Sequence, residues 1–238
     1  HAVATSSCAA ALHLACLALG IGPGDEVIVS AQTHVATAHA VELVGATCVF
    51  VDSEPRTGNI DPARIEPAVT ERTKAIALVH YLGFPAAMDP IMRIAERHGL
   101  AVIEDCALAL GTGIAGTHAG LVGDVGCFSF YPVKVMTTGE GGMLITRRED
   151  VARAASQYRA FGIDRNVVGE RPIPGMYDVQ LLGLNYRMNE ISAALGIEQL
   201  KKLPEFLRDR RRNFRALAEG LASIDGVQVL GAEETLED

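Results

Sequence analysis

Short apolar runs without polar alternation recur at Glu26–Ser30, Thr47–Val51, Lys74–His80, Leu100–Asp105, Val125–Phe130 and Gly142–Thr146. A strand with one wet face alternates in polarity. These do not, so they predict strands covered on both faces. Helical signals separate them. Ser6 and Ser7 precede an alanine- and leucine-rich stretch that Gly20 closes, the mark of a capped helix. It is apolar on nearly every side and is predicted to be buried. Thr33–Val44 is predicted helical, with His34 in its first turn. Asp61 and Pro62 open another helix as N-cap and first helical residue. Met88–His98 is amphipathic and stops at Gly99, and Arg148–Phe161 is also predicted helical. Met188–Leu221 reads as mostly one long helix, interrupted near Pro204.

This alternation predicts an α/β fold: a mostly parallel sheet in a three-layer arrangement, with helices on both faces. The segment between Phe130 and Gly142 is too short for a helical crossover, so the strands flanking it are expected to pair antiparallel. Gly111 to Gly126 holds six glycines and reads as a close-approach loop or a flexible crossover. Gly162–Gln180 is expected to be an exposed loop, and Val227–Leu230 the start of a strand.

The 238 residues, 49% of them hydrophobic, suffice for one large domain and part of a second. The formal net charge is −8, which provides no footprint for nucleic acid. Basic residues cluster only in Arg208–Arg212, which reads as a solvated helix face. Cys8, Cys16, Cys48, Cys106 and Cys127 are an odd number of thiols without CxxC spacing. They suggest reduced, buried cysteines in a cytoplasmic protein, with no disulfide framework and no metal site. No apolar run is long enough to span a bilayer. Both ends are expected to be cut from a longer polypeptide.

Two strand ends carry candidate chemistry. Cys127–Tyr131 stops at Pro132, and Lys134 follows with no carboxylate within four residues on either side, ahead of the glycine run 139–142. An amine in an apolar pocket loses hydration, and its neutral form can attack a carbonyl as a Schiff-base nucleophile. A surface lysine after an edge strand is the alternative. Upstream, Val102–Asp105 ends in a carboxylate. A buried Asp and a strand-end Lys are what pyridoxal phosphate (PLP) requires: an acid to hold the electron sink and an amine to carry it. Ligands of parallel sheets sit at the carboxyl ends of the strands, and this reading places Asp105, Ser129 and Lys134 at the same edge. The N-terminus of the first helix is a candidate anion site, with a plain Ser N-cap as the alternative.

The segments Ser6–Leu14 (SSCAAALHL), Gln32–Ala38 (QTHVATA), Val102–Ala107 (VIEDCA), Gly123–Lys134 (GDVGCFSFYPVK), Thr138–Met143 (TGEGGM) and Leu184–Gly196 (LNYRMNEISAALG) together resemble the DegT/DnrJ/StrS family of PLP-dependent sugar aminotransferases. The order and spacing agree from residue 1 to about 215. The resemblance implies the fold type I aminotransferase architecture. It implies a large PLP-binding domain over 1–215, with 216–238 as the incomplete start of a C-terminal small domain. It also implies a homodimer with shared active sites.

By this resemblance Lys134 matches the lysine that carries the cofactor and later moves the proton. Asp105 matches the carboxylate paired with the pyridine nitrogen. His34 matches an aromatic position stacked on the ring. Ser7, Cys8 and Ala9 match the phosphate cup, and Ser129 matches a hydroxyl to the same phosphate. Asn185 matches an asparagine that reaches the phosphate from the partner subunit. His80, Tyr81, Tyr177 and Arg187 are candidate lining residues, with packing or surface roles as the alternative.

Two positions depart from the family's pattern. Ala9 removes a threonine hydroxyl expected at the phosphate. Leu108 replaces a Gln or His expected near the cofactor's 3-oxygen. One neutral hydrogen bond is worth about 0.5–1.5 kcal/mol, so these changes imply a weaker grip on PLP and leave the site in place. The implied activity is transfer of an amino group, with glutamate as donor, to a keto group of a nucleotide-linked sugar. A keto-cyclitol acceptor is an alternative, as are a sugar dehydratase and a non-catalytic PLP-binding homologue. The dehydratases carry histidine in place of Lys134, which argues against that reading.

Overall fold

The structure is a computed structural model that describes residues 1–163 and 177–230. Its strands are β1 (Ala2–Thr5), β2 (Glu26–Ser30), β3 (Thr47–Val51), β4 (Thr73–Val79), β5 (Ala101–Asp105), β6 (Gly113–Ile114), β7 (Thr117–His118), β8 (Val125–Ser129) and β9 (Gly142–Ile145). The main helices are α1 (Cys8–Ala18), α2 (Val35–Leu43), α3 (Pro62–Ile65), α4 (Met88–His98), α5 (Glu149–Arg159) and α6 (Glu190–Leu221).

Seven strands form one sheet in the order β1-β9-β8-β5-β4-β2-β3. The pairs β2–β3, β2–β4, β4–β5 and β5–β8 are parallel. The β8–β9 pair is antiparallel, as the short connection predicts, and β1 closes that edge antiparallel to β9.

Side-chain alternation divides the interior into two cores. Val27 and Val29 of β2, Ala75 and Ala77 of β4, and Ile103 of β5 face α1, α2 and α5. Ile28, Ile76, Leu78 and Val102 face α3 and α4. Each strand therefore feeds apolar residues to both faces, which is why the sequence shows runs rather than alternation. β3 lies at the sheet edge: Cys48 packs on the first core and Val49 and Val51 on the second, while Phe50 is exposed.

The α1 helix is buried over most of its length, as its composition predicts. It packs directly on β9 because Gly142 lacks a side chain. A Cβ there would come within 2.4 Å of the Ser7 carbonyl carbon and 2.6 Å of the Cys8 nitrogen. The glycine-rich stretch folds into the small β6–β7 hairpin and then returns to β8. Gly120 and Gly126 touch backbone to backbone, and a Cβ on Gly126 would lie 2.3 Å from the Gly120 Cα. Of the two readings for this stretch, close approach is the one observed.

Two expectations change, and three short strands are new. α6 continues through Pro204 as one helix of 32 residues. The proline deprives the carbonyl four residues earlier of its helical donor, but the run of helix formers on both sides carries the helix on. Residues 227–230 are not in a strand. Finally, β1 and the β6–β7 hairpin were not anticipated, because strands of two to four residues are too short to show a period.

Glu104 and Asp105 occupy successive positions of β5 and so point to opposite faces. Glu104 is fully buried and accepts backbone N–H groups from Gly120 (2.8 Å), Val122 (3.0 Å) and Gly123 (2.6 Å). His80 Nε2 lies 2.8 Å from its Oε2, and His80 Nδ1 accepts the Ala86 N–H at 3.0 Å. The proton of the neutral ring is therefore on Nε2, donated to Glu104. His80 is a packing residue, wholly buried in this network, and does not line a pocket.

Burial opposes ionisation of Glu104, but the bonds from His80, Gly120 and Gly123 outweigh it and hold the carboxyl below its ordinary range. A depressed carboxylate contributes its full stability above its unfolded value and loses it as pH falls through the folded one. Glu104→Ala orphans all four donors. Each orphaned buried donor costs about 1–3 kcal/mol, so a loss of several kcal/mol is expected, read as a lower midpoint in urea denaturation at neutral pH. The deficit relative to the unmodified protein should shrink as the pH drops below the carboxylate range.

Candidate active site

Two of the candidate residues end adjacent parallel strands at one edge of the sheet. Asp105 ends β5, and Ser129 ends the adjacent parallel strand β8. The backbone N–H of Lys134 donates to the Tyr131 carbonyl at 3.0 Å, so the chain turns immediately after the strand. Lys134 is half-buried. The Ser129 Oγ accepts the Tyr131 N–H at 3.4 Å.

Asp105 is 2% exposed. Its Oδ2 accepts the Thr37 hydroxyl at 2.7 Å. Its Oδ1 accepts the Ala107 N–H at 3.0 Å and the Cys8 thiol at 3.9 Å, a long contact even for sulfur. Burial and then the charge of Asp105 push the Cys8 thiol well above its ordinary range, while the Lys134 ammonium pulls it down. Cys8 thus stays a protonated donor. Burial does the same to Cys106 and Cys127, whose thiols are also driven well up.

At the start of α1, the Ser7 Oγ accepts the Ala10 N–H at 3.1 Å, so Ser7 is an N-cap. The hydroxyl still has its own proton to donate. Ala9 is exposed and Cys8 is buried. The first-turn N–H groups of a helix carry a partial positive charge suited to an anion. His34 caps α2: its Nδ1 accepts the Ala36 N–H at 3.1 Å, and the residue is exposed. Leu108 is 37% exposed. It lies beside the turn Tyr81–Gly83, where a Cβ on Gly83 would sit 2.7 Å from the Leu108 carbonyl.

Asn185 lies outside this cluster's hydrogen bonds. It is exposed, and its Oδ1 accepts from Arg187 Nε at 3.1 Å. Arg187 itself stacks 5.2 Å from the centre of the Phe161 ring. Tyr177 is exposed. Residues 164–176 of the expected 162–180 loop lie outside the described residues.

Sequence reasoning missed Thr37. Its hydroxyl binds Asp105 across 68 positions of sequence, and no local pattern announces such a pair. It also left Glu104 unassigned, although the Glu-Asp pair ending a strand was visible. His80, Glu104 and Cys106 bring three potential ligand atoms within 4.8 Å of one another. Two of them already bond each other, and Glu104 is filled by backbone donors.

Comparison with known proteins gives this arrangement a class. The architecture is that of the fold type I aminotransferases. The DegT/DnrJ/EryC1/StrS aminotransferase family matches residues 1–237, and the chain belongs to that family. GDP-perosamine synthase of Caulobacter vibrioides is 46% identical over 212 residues, covering 89% of this chain and 55% of that protein. L-glutamine:2-deoxy-scyllo-inosose aminotransferase of Streptomyces lividus is 45% identical over 230 residues, covering 95% and 54%. A structure of S. venezuelae DesV in complex with ketimine intermediate matches with a TM-score of 0.87 and 37% identity, covering 97% of this chain and 60% of that one. The chain spans about half the length of the curated relatives it matches. PLP is the cofactor of this family.

The residues present fit that group. A buried carboxylate with an acceptor position to spare faces the N-terminus of a buried helix, and a half-buried lysine stands at the next strand end.

Proposed function

We propose that the protein is a PLP-dependent aminotransferase that moves an amino group onto a keto group of a nucleotide-linked sugar. The observation that carries this reading is the buried carboxylate of Asp105 at the carboxyl end of β5, bonded to Thr37 and in contact with Cys8 at the start of α1, in a chain whose family consists of aminotransferases. When bound, PLP supplies an electron-accepting ring that takes up the charge released as a C–H bond breaks.

The chain's own residues do the rest. Asp105 would keep the ring nitrogen protonated, with Oδ2 offering the acceptor position that Thr37 leaves free. Lys134 Nζ would anchor the cofactor, and the freed amine would be the group that holds and moves the proton. The α1 N-terminus, with Ser7, Cys8 and Ala9, would hold the phosphate, and Ser129 would add a hydroxyl. The helix dipole contributes about 0.3–1 kcal/mol, up to about 2 when partly buried, so charge-assisted hydrogen bonds must hold most of the dianion. His34 presents its ring at the start of α2.

The site is completed by a second copy of the chain, from which Asn185 reaches the phosphate. Exposed apolar residues support a covered face: Val133 (72%) next to Lys134, Leu182 (92%) near Asn185, and Ile191 (84%) and Ile197 (62%) on α6. Among the described residues no helix is long and apolar enough to cross a membrane, and five free cysteines accord with a cytoplasmic setting. The Streptomyces lividus relative favours a second acceptor class, a keto-cyclitol, and names glutamine as donor.

The test is the absorbance spectrum of the PLP-loaded protein before and after glutamate or glutamine. A visible band that glutamate bleaches is expected. Bleaching by glutamine alone replaces the donor. A band that neither changes rejects the transfer reaction, and no band rejects the cofactor.

A further inference from the structure

We infer that Thr37, held in turn by Thr33, is a positioning residue that selects the lone pair of Asp105 offered to the cofactor. The inference rests on the PLP reading above and concerns residues to which that reading gives no role.

The argument is an account of donors and acceptors. A carboxylate has about four lone-pair sites. In Asp105, Oδ1 uses two, for the Ala107 N–H and the Cys8 thiol. Oδ2 uses one, for Thr37. One site on Oδ2 remains for a ring N–H. Thr37 is 1% exposed and Asp105 is 2% exposed, so no bulk water substitutes for these contacts.

The direction of the chain follows. Thr37 has a single hydroxyl proton, and an ionised carboxylate only accepts. Thr37 therefore donates to Asp105. Thr33 Oγ1, 2.9 Å from Thr37 Oγ1, must then donate to Thr37. Successive donors polarise one another in a low-dielectric interior. Without Thr37, Oδ2 has two vacant positions, and the carboxylate loses the bond that fixes its plane.

Position in the fold makes the pair more than a local cap. Thr33 precedes His34, the N-cap of α2, and Thr37 lies in the first turn, where its N–H donates to the His34 carbonyl at 3.0 Å. One turn of helix thus carries both the ring proposed to meet the cofactor's face and the hydroxyl that orients the group at its edge. The other ionisable groups around Asp105 are Cys8 at the start of α1, Glu104 on β5, Cys106 just after it and Cys127 on β8, with the charge of Lys134 also felt at Cys8.

The experiment compares Thr37→Val, Thr37→Ser and Thr33→Val with the unmodified PLP-loaded protein. It reads PLP affinity by equilibrium dialysis, the pH midpoint of the visible band, and the melting temperature without PLP. Thr37→Val keeps the shape and removes the donor. It is expected to weaken PLP binding by about tenfold or more and to move the pH midpoint. Thr37→Ser restores the hydroxyl and should stay within about twofold. Thr33→Val, one bond further away, should move the midpoint in the same direction by less.

A purely structural role would lower the melting temperature and leave affinity and midpoint unchanged; that result overturns the inference while the band in the unmodified protein keeps the PLP reading. If Thr37→Val does not fold, an unmoved midpoint in Thr33→Val overturns it. Absence of the band in the unmodified protein overturns both.

Discussion

Lys134→Ala is expected to lose the visible band of the lysine-bound cofactor and at least about 10⁴-fold in transfer rate. The side chain has two proposed tasks at one atom. Its Nζ anchors the cofactor covalently, and once displaced it is the base and acid that moves a proton. Alanine removes both, whereas loss of a general base alone costs about 10²–10⁴-fold. The fold should survive, because Lys134 is half-buried in a loop and belongs to none of the apolar cores. The decisive pair of measurements is the spectrum with added PLP and the thermal melt. A normal melt with no band supports the proposed role. A normal band in the variant would show that another amine carries the cofactor.

Asp105→Asn separates the electronic task from the covalent one. The amide keeps the size of the carboxylate but not its charge, and it replaces one acceptor oxygen with a donor. The group now meets three donors, from Thr37, Ala107 and Cys8, with a single acceptor atom. With the amide oxygen kept toward Ala107 and Cys8, the Thr37 hydroxyl must reverse and accept from Nδ2; with the amide turned the other way, donor meets donor. The band should persist, because Lys134 is intact. The rate should fall by about 10²–10³-fold, the usual cost of removing one preorganised electrostatic partner. Single-turnover bleaching of the band by the amino donor measures this directly. A rate unchanged within a few fold would mean that the ring nitrogen is not held by Asp105. Because the two variants differ in the band but agree in lost turnover, they assign separate roles to the two residues.

Ala9 and Leu108 depart from the family's pattern and bear on both experiments. Ala9 is exposed at the start of α1, where the backbone N–H groups of the first turn remain. Leu108 is partly exposed and packs beside the Tyr81–Gly83 turn. Neither touches Asp105 through a hydrogen bond, so the carboxylate geometry stands apart from both changes.

Much of the fold was legible in the chain. Two-sided burial makes each central strand a continuous apolar run, and Asp61-Pro62 and Gly99 mark helix ends through backbone chemistry that acts within a few residues. The antiparallel turn between β8 and β9 followed from length alone. Asp105, Ser129 and Lys134 were also legible, because parallel topology places strand ends at one edge.

Pairings between distant residues were a different matter. The sequence by itself determined the layers, the edge at which the chemistry gathers, and the residue types available there. Only the tertiary structure decided that Thr37 reaches Asp105, that His80 is locked onto Glu104 away from any pocket, and that Gly142 lets α1 lie against β9. Propensity and periodicity are short-range and repeat every two or four residues. Hydrogen bonds between side chains far apart in sequence depend on how helices dock on the sheet, and that docking is set by the packing of the whole core.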